Sequence, residues 1–286
     1  MKRYPAYRDS GVEWLGEVPE GWQVVRLKHG CNVFPSNVDK HTIEGEIPVS
    51  LCNYTDVYYR DVITADIAFM QASARPEEIE KFTLQVGDVI FTKDSETADD
   101  IGISALVTEE LPGVVCGYHL SIARPRRGVH GPFVKRFFDS GFAKASFEVS
   151  ANGLTRVGLG QYAIDNVVFL LPPLREQTVI AAFLDVETAK IDGLVAEQRR
   201  LIDLLREKRQ AVISHAVTRG LNPTAPLKPS GIDWLGDVPS HWTAPLSFKR
   251  VADRVVVGIA EAAAYAYVEV GVPILRSMNV RAGRKA

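Results

Sequence analysis

The chain has 286 residues, 46% of them hydrophobic and 24% charged, with a net charge of −2. This composition is typical of a folded globular protein, and the length favours two domains. The near-neutral charge excludes a global basic field, so any contact with nucleic acid must rely on local patches. The N-terminus lacks the apolar core of a signal peptide and no run is apolar enough to span a membrane, so we expect a cytoplasmic protein.

The start of the chain carries a motif that returns later. Residues 10–22 read SGVEWLGEVPEGW and residues 230–242 read SGIDWLGDVPSHW, with eight identical positions that include both tryptophans. This agreement predicts a duplicated module in which two tryptophans flank a Gly-x-x-Pro turn. The alternative is a coincidental surface turn.

Residues 1–171 are predicted to form a β-rich α+β domain. Short apolar runs between turn residues predict strands at Glu46–Leu51, Asp88–Thr92, Ile103–Val107, Val114–Cys116, Leu120–Ala123 and Val167–Leu171. Phe133–Phe147 is predicted as one helix with Lys135 and Arg136 turned away from its apolar face. Asn152-Gly153 predicts a turn. The odd, widely spaced cysteines Cys31, Cys52 and Cys116 predict free thiols.

Residues 172–219 contain one long predicted helix, Leu174–Arg219. Two prolines precede it, and Gly220 with Pro223 supplies stop signals. Apolar residues recur in heptads along it, with an amide at one seam position: Leu184, Ile191, Leu194, Gln198, Leu201, Leu205 and Val212. This pattern is typical of a coiled coil that packs against a partner helix. An ordinary long helix in a helical lobe is the alternative.

The remainder of the chain is predicted to begin a second unit. Residues 220–229 form a Pro-rich linker, and residues 230–286 start with the repeated motif but hold too few residues to match the first domain. Residues 260–280 could supply one helix or a hairpin.

Catalytic patterns are scarce in the sequence. It has no P-loop, no nucleophile elbow and no histidines at metal-ligand spacing, and His119 is expected to be a packed or edge residue of a strand. The carboxylates of Asp88, Asp94, Glu96, Asp99 and Asp100 could hold Mg²⁺, although a solvated acidic loop explains them more simply. We therefore expect no metal site, no cofactor and no catalysis.

Local patches could contact DNA. Arg124, Arg126, Arg127, Lys135 and Arg136 form a basic run that would suit phosphates, or simply a solvated charged turn. Side chains able to pair with base edges occur in three loops: Asn53 and Tyr54; Lys93 and Ser95; and Asn152, Thr155, Arg156 and Gln161. If Arg156 reads a base, Arg156→Ala should weaken specific binding more than nonspecific binding.

Several segments together resemble the specificity subunit of type I restriction–modification systems. They are EWLGEVPEGWQVVRLK, LQVGDVIFTKDSETADDIG, CGYHLSIARP, ANGLTRVGLGQYAIDNVVFLLPPLREQ, KIDGLV and LLREKRQAVI. The resemblance implies target-recognition domains, each followed by a long helix, with two helices pairing antiparallel as a ruler between halves of a split double-stranded DNA site. It also implies methyltransferase subunits docked on the helices, a motor–nuclease subunit, and S-adenosylmethionine and ATP used by those partners.

This sequence departs from the family pattern because it holds one recognition domain, one helix and only the start of a second unit. It could be a fragment, a half-subunit that dimerises through the long helix, or one of two complementary chains. The rival functions are a stand-alone metal-dependent nuclease using the carboxylates of Asp88–Asp100, and a coiled-coil scaffold that never meets DNA.

Overall fold

The computed structural model describes residues 4–243 and 250–254 and has an α+β fold. The chain divides into two compact units, Met1–Ala196 and Glu197–Ala286. The first unit holds both sheets of the β-rich domain and the start of a long helix. The helix or hairpin predicted for residues 260–280 lies outside the described residues.

Two sheets form the β-rich domain. Their strands are β4 Cys31–Pro35, β5 Ile47–Cys52, β6 Val62–Ile63, β7 Met70–Ala74, β8 Val89–Thr92, β10 Ser104–Val107, β11 Val114–Cys116 and β12 Leu120–Pro125. The five-stranded sheet has the order β4-β12-β8-β10-β6, and the three-stranded sheet has the order β11-β5-β7. Within these two sheets the β10–β6 and β11–β5 pairs are parallel and the other pairs are antiparallel.

In the part of the chain that the structure describes, four further strand pairs lie outside these sheets. The pairs are β1 Tyr7–Asp9 with β2 Glu17–Pro19, β3 Gln23–Arg26 with β14 Val168–Leu171, β9 Asp94–Ser95 with β13 Val157–Gly158, and β15 Leu227–Pro229 with β16 Asp237–Pro239. All six predicted strands are present, with ends within two residues of those expected.

Two apolar cores lie on opposite faces of the five-stranded sheet. Because side chains alternate along a strand, Ile90 of β8 points to the core shared with the three-stranded sheet, whereas Val89 and Phe91 point to the helical core. All four residues of β8 are buried for this reason. The two-sided burial explains why β8 reads as a continuous apolar run rather than an alternating one.

Seven α-helices are found in the described residues. They are α1 Leu27–Gly30, α2 Tyr54–Tyr58, α3 Pro76–Phe82, α4 Gly131–Asp139, α5 Gly141–Ser150, α6 Gln161–Asp165 and α7 Leu174–Arg219. The long helix predicted over Leu174–Arg219 is confirmed. None of the helices described is long and apolar enough to cross a membrane.

The single helix predicted over Phe133–Phe147 is wrong, because the chain breaks at Ser140. The Ser140 backbone is extended, with φ −67° and ψ 143°, and its side chain accepts a hydrogen bond from the Ala143 N–H at 3.2 Å. Serine at this position therefore ends α4 and caps the start of α5. The break lets α5 pack Phe147 against Phe138 of α4 at 5.3 Å between ring centroids.

Lys135 was expected to face solvent, and this expectation is also wrong. Its side chain is only 5% exposed, and its ammonium lies 2.6 Å from Asp139 and 3.1 Å from Asp61. The nearby Arg136 is bound to Asp139 and Asp185. Both cations therefore stabilise the packing of α4.

The repeated motif folds twice into the same small hairpin, β1–β2 and β15–β16. In each copy the first serine N–H donates to a glycine carbonyl six residues later, at 3.0 Å from Ser10 and 3.1 Å from Ser230. The glycine after each serine has a positive φ, 72° at Gly11 and 77° at Gly231, a conformation that disfavours other residues. Sequence identity at these positions thus preserves one backbone turn.

Candidate nucleic-acid interface

Two of the predicted DNA-reading loops meet at the short ribbon β9–β13. Val157 pairs with Ser95 and Gly158 pairs with Asp94 in antiparallel register. The Leu159 N–H also donates to the Lys93 carbonyl at 2.8 Å. The loop that carries Asn152, Thr155 and Arg156 therefore lies against the loop that carries Lys93 and Ser95.

Asp94 lies at the centre of a cluster of nitrogen-bearing side chains. Its carboxylate is 2.9 Å from Nη2 of Arg156, 3.0 Å from Nδ1 of His119 and 3.4 Å from Nζ of Lys93. Asp94 itself is 17% exposed, whereas the Arg156 side chain is 47% exposed and that of His119 42%. The carboxylate is thus screened by groups that reach the surface.

The loop that carries Arg156 has a tight backbone. The N–H groups of Asn152 and Gly158 each donate to the other residue's carbonyl, at 3.0 and 2.9 Å. Gly153 has φ 149°, and a Cβ there would lie 2.0 Å from the Arg156 carbonyl oxygen. Glycine is therefore required at this position for the loop to close.

Aromatic rings stand beside the cluster. Tyr54 and Tyr58 stack with centroids 5.4 Å apart, and the Lys93 ammonium lies 4.5 Å from the centroid of the Tyr118 ring. The Tyr58 hydroxyl donates to Asp100 at 2.6 Å, and this hydrogen bond raises the pKa of Tyr58 to about 12. Burial raises the pKa of Tyr54.

A cleft of about 230 Å³ lies beside the rings of Tyr54, Tyr118 and His119 and reaches the predicted Asn53 loop. Asn53, Tyr54, Gly117, Tyr118 and His119 are among the residues that line it. His119 lies in a turn just before β12 rather than inside a strand, so its predicted placement is wrong. Sequence reasoning missed the role of Asp94 and His119 because their partners are distant in the chain.

The predicted basic run is not one surface, because its members have different partners. Arg124 donates to both oxygens of Asp88, at 2.8 and 2.7 Å, and to the Thr83 carbonyl at 2.9 Å. Asp88 is 1% exposed, so this ion pair stabilises the domain interior. Arg126 and Arg127 are exposed. Lys135 and Arg136 also pair with carboxylates of the fold. The placement of Arg124 does not support its predicted role at DNA phosphates.

Two other predicted site residues make contacts within the fold. The Gln161 amide donates to the Val33 carbonyl and to Asp165, each at 2.9 Å. The Asn152 side chain donates to the Ser150 carbonyl at 2.8 Å. Thr155 is exposed.

The acidic residues predicted as a possible Mg²⁺ site are dispersed among separate partners. Asp88 pairs with Arg124, Asp94 with the cluster described above, and Asp100 with Tyr58. Within residues 4–243 and 250–254, no three His, Cys, Asp or Glu side chains converge as a metal site would require. This geometry does not favour the nuclease alternative.

The predicted seam of the long helix is largely exposed. Ile191, Leu194, Leu201, Leu205 and Val212 are between 48% and 65% exposed, and Gln198 is exposed. Leu184 differs, because it is half-buried and lines an apolar cavity of about 240 Å³ with Trp22, Phe137 and Phe142. The first seam residue, Leu184, therefore packs against the β-rich domain, and the later seam residues form an exposed apolar stripe.

The chain is similar to known proteins in sequence and in fold. No protein-family model matches the chain. It is 24% identical over 282 residues to the EcoKI specificity subunit of Escherichia coli strain K12, covering 94% of this chain and 56% of that protein. It is 23% identical over 232 residues to the StySPI specificity subunit of Salmonella potsdam, covering 77% and 47%.

A solved structure from work on the assembly of a type I restriction–modification system has the same fold, with a TM-score of 0.57 at 19% identity. The superposition covers 75% of this chain and 49% of the solved one. The HsdS subunit from Thermoanaerobacter tengcongensis has the same fold, with a TM-score of 0.51 at 19% identity. This chain is similar in sequence to type I restriction enzyme specificity subunits, which confirms the resemblance, and it spans about half the length of those it matches.

Proposed function

We propose that this chain recognises DNA sequence for a type I restriction–modification complex. The β-rich domain would read one half of a bipartite target, and the long helix would dock methyltransferase subunits. The observation that supports the proposal is the meeting, at β9–β13, of two loops predicted to read bases, beside exposed aromatic and cationic side chains. Its relatives are specificity subunits, which supports the same role.

The chemistry of the complex is assigned to partner subunits. Methyl transfer with S-adenosylmethionine and ATP-driven cleavage would belong to a methyltransferase and a motor–nuclease. This chain would contribute sequence selection and spacing. The alternative hypothesis of a nuclease predicts Mg²⁺-dependent cutting by the purified chain alone. The alternative hypothesis of a scaffold predicts no salt-sensitive DNA binding.

The test is selection from a random duplex library by the full chain co-purified with a candidate methyltransferase. We expect enrichment of one short sequence, with affinity that falls as salt rises because phosphate contacts release counterions. Recovery of no preferred sequence by a stable complex would refute the proposal. Cutting by the chain alone would favour the nuclease.

The exposed stripe on α7 is the proposed surface for a second long helix. At 1.5 Å per residue the 46-residue helix is about 69 Å long, and sustained heptads bury their seam against another helix. A second copy of this chain is one such partner, because an antiparallel pair is isologous and closed.

The stripe is tested by Leu201→Lys, with Glu197→Lys on the same helix as the matched control. Light scattering measures the mass of the assembly. Leu201→Lys should lower this mass by that of the chain that supplies the second long helix, whereas Glu197→Lys should leave it unchanged. Equal masses for both variants and the unmutated chain would remove the stripe as an assembly surface.

A further inference from the structure

We propose that Asp94 is a positioning residue that holds Arg156 ready to read a guanine in the major groove. The inference rests on the proposed function, because it requires the domain to bind duplex DNA. It adds the class of base that is read and the residue that orients the reader.

Arg156 forms an ion pair with Asp94 at one end and is open at the other. Its Nη2 lies 2.9 Å from Asp94 Oδ1, and nearly half of the side chain is exposed. A guanidinium has five N–H donors in a planar fork, so one contact with Asp94 leaves donors available to a ligand. Arg124 is different, because its Nε and Nη2 donate to both oxygens of a buried carboxylate and to a backbone carbonyl, which leaves only Nη1 without a hydrogen bond.

The open donors fit guanine. Arginine pairs through two N–H groups with O6 and N7 of guanine, and this contact is the commonest specific one in the major groove. Lysine carries the same charge but cannot form the planar fork. An arginine already held by Asp94 also loses less side-chain freedom on binding than an unanchored one.

The surroundings of Asp94 make a carboxylate tolerable near DNA. Lys93 and Arg156 flank it, and Nδ1 of His119 lies 3.0 Å from it. The two cations offset the repulsion between Asp94 and phosphates. The carboxylate therefore orients a cation at the surface without leaving an uncompensated negative charge there.

The decisive variant is Arg156→Lys, and Arg60→Lys is its matched control. Arg60 pairs with Asp56 at 3.6 Å with side-chain exposures of 45% and 14%, close to the 47% and 17% of Arg156 and Asp94. The assay uses the full chain in complex with its methyltransferase, a random duplex library and a fixed nonspecific duplex. The unmutated complex first defines the selected sequence.

We expect Arg156→Lys to weaken binding of the selected duplex roughly 10- to 100-fold and to abolish a guanine preference at one position. Affinity for the nonspecific duplex should stay within about 2-fold, because the charge is kept. Arg60→Lys should change neither. Equal loss on both duplexes would identify Arg156 as a phosphate contact and overturn the proposal.

Asp94→Asn tests the positioning role separately. The same guanine preference should weaken about 10-fold while nonspecific affinity is unchanged or higher, because a carboxylate has been removed beside the phosphates. A folding defect would instead lower both affinities. Retention of the guanine preference in this variant would overturn the role of Asp94.

The outcomes separate the two proposals. If the unmutated complex selects a sequence and Arg156→Lys selects the same one, the further inference fails while DNA recognition stands. If the unmutated complex selects no sequence, DNA recognition fails and takes the inference with it.

Discussion

Gln177 joins the start of the long helix to the β-rich domain, and its replacement by leucine is the sharpest test of that junction. The side chain is fully buried in the first turns of α7. Its amide donates to the carbonyls of Pro172 at 2.8 Å and Gly128 at 3.2 Å, and its oxygen accepts from the His130 N–H at 2.9 Å. One residue thus ties the segment 128–130 to Pro172 and the start of α7.

Gln177→Leu keeps similar volume and removes all three hydrogen bonds. The His130 N–H then has no acceptor, which costs about 1–3 kcal/mol, and two carbonyls lose a donor at a smaller cost each. We expect a total loss of about 2–4 kcal/mol in the free energy of unfolding. Urea unfolding followed by tryptophan fluorescence measures it.

The matched control is Gln210→Leu, which makes the same chemical change on the same helix. Gln210 is exposed, and its amide is 3.4 Å from the Ser214 hydroxyl. We expect a change within about 0.5 kcal/mol there. If Gln177→Leu also falls within that range, the buried amide does not hold the junction.

Three further substitutions test local features. Ser140→Ala removes the cap of α5 and should cost about 1 kcal/mol in urea unfolding, and an unchanged midpoint would contradict the cap. Asp88→Asn breaks the buried pair with Arg124 and should cost about 2–4 kcal/mol without altering DNA affinity; unchanged stability would show that the pair is dispensable. Asp100→Asn should return the pKa of Tyr58 from about 12 towards 10.0 in a spectrophotometric titration, and an unmoved transition would exclude Asp100 as its cause. Because the folded pKa is raised, the Tyr58 contribution to stability is present below about pH 10 and is lost as the pH rises through about 12.

The long helix could be predicted to the residue because its signals are local. Prolines precede Leu174, a glycine with φ 75° follows Arg219, and no proline interrupts the heptads, within which Gly193 is tolerated. The six strands that were predicted could be found for a similar reason, since each is a short apolar run between turn residues. Such features depend on neighbouring residues, which the sequence displays directly.

The break at Ser140 was missed because the apolar pattern of α4 continues into α5. Phe137, Phe138 and Phe142 suit one helix face, and only the Asp139-Ser140-Gly141 step indicates a stop and a new cap. The burial of Lys135 was missed because Asp61, one of its partners, is 74 residues away. An amphipathic pattern shows how apolar and polar residues are spaced along a helix. It does not show which distant carboxylate will pair with a lysine of that helix.

The placement of the candidate site could not be predicted for a related reason. Arg124 and Arg156 are the same residue type, each near an aspartate that lies far away in the sequence, yet their roles differ. Asp88 is buried, and both of its carboxylate oxygens accept hydrogen bonds from Arg124. The Arg124 guanidinium therefore stabilises the fold. Asp94 is shared among three side chains and leaves Arg156 half exposed, so this guanidinium has more donors available to a ligand than that of Arg124. Partner burial, which is set by the tertiary fold, therefore distinguishes the two arginines.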